Sequence, residues 1–298
     1  YANAVARGTV ARATTDAQQQ LGRIQRAQDA VLRVLQDPSI NARVLSRTQR
    51  VYNGIAAKID ASNLDQIARL PEVKAIRANR VIERQNSTSV PFIGAPQLWS
   101  GSGASGATGR GISIGIIDTG IDYLHTNFGG SGATGDYDRN DTTTISDGFF
   151  PNGKVAGGRD FVGDDYDAGN PDADVPMPDP DPMDCNGHGT HVAGTAAGYG
   201  VNADGTTYRG PWNTSTPFNS LRIGPGVAPE AELWALRIFG CGGSASDAIT
   251  AAAIEYAVDP NGDGDFSDRL DVINMSLGLD YGGYTDASST ASDNAAGI

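Results

Sequence analysis

No apolar run in this sequence approaches the roughly 18 residues that a membrane-spanning helix needs, so a membrane span is excluded. Neither Met nor a signal-peptide pattern stands at Tyr1, so any targeting segment is expected to have been removed or to lie outside the sequence. Aromatic residues reach only 7% and charged residues 19%, against 39 glycines. That balance fits a loop-rich globular protein, and its apolar content of 39% is too high for disorder. Basic residues are scarce after residue 86, where 8 Lys and Arg face 28 Asp and Glu, which argues against nucleic acid as a partner. Cysteine is limited to Cys185 and Cys241. In an extracellular protein such a pair can form a disulfide, but the sequence does not show that the two meet.

What is present divides into two parts. The 298 residues suffice for two domains. Residues 1–86 carry 14 Lys and Arg against 7 Asp and Glu, a net charge of +7, and residues 87–298 carry −20. The opposite signs point to segments that attract one another, with two independently solvated surfaces as the alternative. In the first part, Leu21, Ile24, Val31 and Leu35 recur at helical spacing. Thr15 and Gln18 resemble a capping box, and Pro38 follows the helix. Residues 50–59 alternate as a strand with Ile55, Ala57 and Ile59 on one side. Asn63 is expected to cap a short helix with Leu64 and Ile67, and Val73–Ile76 and Arg80–Glu83 read as further strands. This order describes one small α+β unit. The polar stretch Gln85–Ser89 reads as a linker and cleavage region, followed by a Gly/Ser/Ala run over 100–109.

In the second part, residues 111–117 (GISIGII) form a short apolar run of the kind found in a buried parallel strand. Residues 128–184 read as one long excursion rich in Gly, Asp and Pro. A helix of small residues is expected from His188, a strand over 232–239, a helix over 246–258 and a strand over 271–276. Strands alternating with helices predict an α/β fold, a mainly parallel sheet covered on both faces. Asp118 ends the first strand, at the carboxyl edge where such sheets place their sites. Alone, it could be a turn cap. His188 lies between two glycines at the start of its helix, which lets that helix approach the sheet closely. His188 and His191 are three apart with no Glu between them, so the pattern of the zinc hydrolases is missing. The third block is DVINMSLG over 271–278, whose strand end exposes backbone donors and acceptors.

Together these blocks resemble the subtilisin-like serine proteases. Asp-Thr-Gly at 118–120, His-Gly-Thr-His-Val-Ala-Gly at 188–194 and Asn-Met-Ser-Leu-Gly at 274–278 stand in that family's order, and Gly-Val-Ala-Pro at 226–229 looks similar too. The resemblance implies a subtilisin-like catalytic domain, here incomplete, over 87–298. It implies an inhibitory propeptide of ferredoxin-like α+β fold over 1–86. Asp118 would orient His188, which would take the proton from an attacking serine hydroxyl. The Gly-Thr-Ser-Met-like nucleophile motif and the Ala-Gly-Asn-like oxyanion stretch are absent from the sequence, so the chain as given is expected to be inactive. By the same resemblance, Gly243, Ser244 and Ala245 form one wall of a substrate cleft and Ser276, Leu277 and Gly278 the other. Protein or peptide substrates, the propeptide as an intramolecular inhibitor and an extracellular location follow from it. The propeptide's tail near 85–88 would lie along both walls.

Two further expectations concern stability. Asp259, Asn261, Asp263 and Asp265 alternate as oxygen ligands, with Gly264 at the sixth position of a calcium-type loop. Leu270 stands where such a loop places its final carboxylate, and Asp268 or Asp271 is the substitute. The chemistry itself needs no cofactor. Cys185 and Cys241 both border the cleft by resemblance and are expected to be bonded, whereas His125 is expected in a surface loop without a role. Three other readings compete: an inactive peptide-binding relative, a calcium-stabilised matrix module, and a nucleotide-binding oxidoreductase. The last lacks Gly-x-Gly-x-x-Gly after the strand.

Overall fold

The computed structural model describes residues 10–49, 53–76, 86–101, 106–278 and 286–298. It divides into two compact units, residues 1–83 and 84–298. In the first, helix α1 (Val10–Leu35) is followed by the antiparallel strands β1 (Arg43–Thr48) and β2 (Gly54–Lys58) and the short helix α2 (Leu64–Ala68). Its core gathers Val31 and Leu35 of α1 with Ile40 and Ile67. Gln28 is buried on α1. Its amide donates to Asn53 Oδ1 and Gly54 O and accepts from Arg47 Nε and Gln49 Nε2, which ties the helix to the β1–β2 pair.

Several expectations for this unit are corrected. α1 is already helical at Val10, so Thr15 does not start it. Asn63 makes no side-chain cap bond; Asp60 caps the turn before it by accepting from the Ser62 N–H. Val73–Ile76 is not a strand, and Arg80–Glu83 lies outside the described residues. β1, which the sequence reading passed over, supplies the partner of β2.

The second unit opens with α3 (Asn86–Phe92) and α4 (Ala95–Trp99). The expected linker over 85–89 is therefore helical from Asn86, because Val90 is buried with Ala95 and Trp99 against Trp212 and Phe218. Then come β3 (Ser113–Asp118), α5 (Thr134–Tyr137), β4 (Val155–Asp160), α6 (His188–Ala197), β5 (Val201–Asn202) and β6 (Leu221–Ile223). β7 (Glu232–Arg237), α7 (Asp247–Val258), β8 (Val272–Asn274) and α8 (Ala287–Ala295) follow. β4, β7, β3 and β8, in that order, form one parallel sheet. β4 corrects the sequence reading, which left it inside the long excursion over 128–184. Its sequence, VAGGRD, has two glycines and no apolar alternation, yet it pairs with β7.

The alternation of side chains along β3 separates two cores. Ile114 and Ile116 pack with Leu233, Ala235, and Ala193 and Ala197 of α6. Ile117 packs with Leu236 and with Ala253, Ile254 and Ala257 of α7. Helices thus cover both faces of a mainly parallel sheet, as expected. α7 is stopped at its start by Ser246, whose hydroxyl accepts the Ile249 N–H, and Asp247 favours the positive end of the helix dipole.

Candidate active site

The site lies at the carboxyl edge of the sheet and follows from the strand order. β3 sits between β7 and β8, so the residues after β7 and after β8 flank Asp118 on opposite sides. Asp118 is buried at the last position of β3. Its Oδ1 accepts the N–H of Thr119 at 2.7 Å. His188, 70 residues later, opens α6 and brings Nδ1 to 2.8 Å from Asp118 Oδ1 and 3.0 Å from Oδ2. The carboxylate side chain is 1% exposed and the imidazole 53%. Among the described residues Nε2 has no partner. A buried carboxylate on Nδ1 fixes the tautomer that carries its proton there and leaves Nε2 able to accept one.

Two glycines allow this approach. Gly187 takes φ +98° at the turn into α6, a conformation that other residues adopt at a cost. At Gly189 a Cβ would lie 2.2 Å from the Gly120 carbonyl oxygen, so any larger residue would push the helix off the loop after β3.

Beyond β7, Cys185 and Cys241 are joined by a disulfide that links the chain just before α6 to the chain just after β7. Arg237 is fully buried beneath it. Its guanidinium pairs with Asp160 at 3.0 Å and Asp164 at 2.8 Å, and donates to Cys185 Sγ at 3.1 Å and to the Phe239 carbonyl at 3.1 Å. Burial pushes the Asp160 carboxyl up, and the Arg237 charge opposes that. Gly243–Ala245 continues from this anchor. Ser244 N–H and Oγ both donate to Asp167 Oδ1 at 2.9 Å, and the Ser244 carbonyl accepts the Ala168 N–H. On the other side Ser276, Leu277 and Gly278 follow β8 in exposed chain without regular secondary structure, and Ser276 Oγ donates to Asn274 Oδ1.

The loop over 259–268, exposed over residues 261–267, is held by its own carboxylates. Asp259 accepts the N–H groups of Gly262, Asp263 and Gly264; Asn261 accepts that of Asp263, and Asp263 that of Asp265. Asp268 Oδ2 accepts the Asn261 N–H, while its Oδ1 is buried without a hydrogen bond. Leu270, at the loop's twelfth position, is buried in the core beside Ile117 and Leu236. Asp271 is turned away, accepting from the Ser113 N–H and hydroxyl. Of the two substitutes, Asp268 therefore faces the loop and Asp271 does not.

The expectation that His125 sits in a surface loop without a role is corrected: it is half-buried, and its Nδ1 accepts the Asn127 N–H and caps the turn Thr126–Phe128. Asp184 was not singled out from the sequence. Asp184 accepts from both the loop after β3 and the start of α6. Its place four residues before His188, ahead of a Gly-flanked helix start, was the available signal.

The Subtilase family model matches residues 109–297. The chain is 31% identical over 270 residues to the minor extracellular protease Vpr of Bacillus subtilis (strain 168), covering 85% of this chain and 26% of Vpr. It is 31% identical over 240 residues to the subtilisin-like protease SBT2.1 of Arabidopsis thaliana, covering 76% and 26%. To the thermophilic serine proteinase of Bacillus sp. (strain AK1) it is 32% identical over 170 residues, covering 57% and 27%. The chain thus spans about a quarter of the length of these relatives. With the family's motifs gathered at one sheet edge and the match running through all of them, the chain belongs to the subtilase family.

Proposed function

We propose that this chain is part of a secreted serine endopeptidase made as an inactive precursor. The observation that carries the reading is the 2.8 Å contact of His188 Nδ1 with the buried Asp118 carboxylate, beside an imidazole open to solvent. In the proposed cycle Asp118 holds the imidazole and stabilises its charged form. His188 Nε2 takes the proton of a serine hydroxyl as the oxygen attacks a peptide carbonyl, then returns it to the leaving amine. The nucleophile and oxyanion motifs that this cycle needs are not found within residues 1–298. The serines near the site are engaged elsewhere: Ser244 with Asp167, Ser276 with Asn274, and Ser246 as the cap of α7. Gly243–Ala245 and Ser276–Gly278 would receive the substrate backbone as an added strand.

Residues 1–86 are proposed as the inhibitory propeptide, with the cleavage point near 85–89. Secretion is supported by the disulfide and by the extracellular protease Vpr among the relatives. The loop over 259–268 is proposed to hold a structural calcium through Asp259, Asn261, Asp263, Asp265 and Asp268. Hard oxygen donors and the orphaned Asp268 Oδ1 fit such an ion. It would offset the repulsion among these carboxylates and take no part in the chemistry.

The test is hydrolysis of an unstructured protein by the full-length enzyme and by Asp118→Asn and His188→Ala variants. The reading expects turnover to fall by orders of magnitude in both variants, and to be absent from residues 1–298 alone. A folded wild type that binds peptides without cleaving them would make this an inactive relative instead.

A further inference from the structure

The carboxylate of Asp184 lies where the two segments bearing Asp118 and His188 cross. Its Oδ1 accepts from Thr119 Oγ1 at 2.9 Å and from the N–H groups of Asn186 and Gly187 at 2.8 Å each. Its Oδ2 accepts the Thr190 N–H at 2.9 Å and the Thr190 hydroxyl at 2.5 Å. Thr119 Oγ1 in turn accepts the Gly189 N–H at 2.8 Å, and Asn186 Oδ1 accepts that of His188 at 3.3 Å. The N–H groups that a helix start leaves open are therefore all taken, by side chains outside the helix. An ordinary cap serves its own helix. Here the Thr119 bond leaves the helix and reaches the residue next to Asp118. The Thr119 N–H donates to Asp118 Oδ1, the same oxygen that His188 Nδ1 approaches.

We propose that Asp184 is a positioning residue. Acting through Thr119, it locks the helix start that carries His188 onto the strand end that carries Asp118, and so fixes the contact between imidazole and carboxylate. The inference rests on the peptidase reading for its consequence, though not for its geometry. A misplacement of about 1 Å in a reacting group costs on the order of 10²-fold in rate, so a displaced imidazole is felt in turnover before substrate binding.

The experiment uses the full-length enzyme with Asp184→Ala, Asp184→Asn, Thr119→Ala, Thr119→Ser and the Asp184→Ala/Thr119→Ala pair. Three readouts are taken: kcat and KM on a peptide substrate, thermal melting, and the Nδ1 proton of His188 by NMR. With 3 histidines in residues 1–298, that resonance can be assigned by substitution. Asp184→Ala is expected to lower kcat about 10- to 100-fold while KM stays within about twofold. Asp184→Asn keeps an oxygen for Thr119 and Gly187 and recovers most of the loss, as Thr119→Ser does for Thr119→Ala. The double variant is no slower than the slower single one, because both changes cut the same link. The His188 Nδ1 proton shifts or broadens in both alanine variants at temperatures where they remain folded.

An unchanged His188 resonance, with activity falling only as the protein melts, would reduce Asp184 to a plain helix cap and overturn the proposal. Losses that multiply in the double variant overturn the relay through Thr119. If the wild type proves inactive while its His188 proton responds to Asp184→Ala, the peptidase reading falls and the positioning role is upheld.

Discussion

His188 has one ring nitrogen committed and one open, and that asymmetry depends on the charge of Asp118. An amide at 118 could turn its NH₂ group toward Nδ1, which would place the ring proton on Nε2. The imidazole could then no longer accept a proton from a serine. Asp118→Asn in the full-length enzyme is therefore expected to lower kcat by about 10⁴-fold at neutral pH with KM little changed, the scale known for this change in a Ser-His-Asp triad. Steady-state kinetics with a chromogenic peptide measures it. Far from the site, Lys154 is fully buried, and its amine donates to the carbonyls of Pro229 at 2.9 Å and Ala231 at 2.6 Å. Burial lowers its pKa from 10.5 to about 7. A neutral amine still has two N–H groups for those two carbonyls, so losing the proton breaks neither bond. Between pH 7 and 10.5 the unfolded chain holds the proton and the folded chain does not, so stability from this group rises with pH across that window. Lys154→Met removes the rise. Denaturant midpoints at several pH values in that range check it; equal slopes for both proteins would contradict the assignment.

At the scale of elements, the end of β7 and the start of α6 are fastened together twice, by the disulfide and by Arg237 beneath it. The cross-link spans 56 residues, and closing a loop of that length in the unfolded chain corresponds to about 4 kcal/mol in the chain-entropy treatment. Replacing both cysteines by serine is expected to lower the unfolding free energy by about that amount in a denaturant titration, with the α/β circular dichroism retained. The loop over 259–268 supports a separate expectation. Calorimetric titration with calcium should give a saturable heat that Asp263→Ala abolishes, and identical traces for both proteins would remove the metal from the account. β3, α6, β7, α7 and β8 were all legible in the sequence, because each carries its own apolar run or a capped helical pattern. The Asp118–His188 meeting was legible only through the resemblance of both motifs to those of the subtilisin-like proteases, with the glycines around His188 pointing to a close approach of helix and sheet. β4 was not, because its glycines hide a strand that exists by pairing with β7. Nor was α3: it contains Pro91 and no apolar periodicity, and is held by the burial of Val90. Asp184 was hidden for another reason. Its local partners, the N–H groups of Asn186, Gly187 and Thr190 and the Thr190 hydroxyl, mark it as a helix cap, but the bond from Thr119, 65 residues away, is a contact that only the folded chain brings together.

Across the whole molecule the charge is divided in a way that neither unit needs for its own stability. Residues 1–86 carry +7 and residues 87–298 carry −20. Like charge concentrated on one unit works against its compactness, and opposite charge on the other offers a partner for it. The first unit has its own core of Val31, Leu35, Ile40 and Ile67, so it is suited to act as a separate piece. If it is the inhibitor, its affinity for the mature enzyme should contain an electrostatic part acting over a distance of about one Debye length, near 10 Å at 0.1 M salt and 3 Å at 1 M. Residues 1–86 added to the mature enzyme are expected to suppress peptide hydrolysis, with an inhibition constant that rises steadily as sodium chloride is raised across that range. The association rate should fall more than the dissociation rate grows, because long-range attraction acts on encounter rather than on the docked complex. Inhibition that ignores salt would leave the propeptide in place and assign its binding to apolar contacts. No suppression at any salt concentration would remove the inhibitory role from these residues altogether.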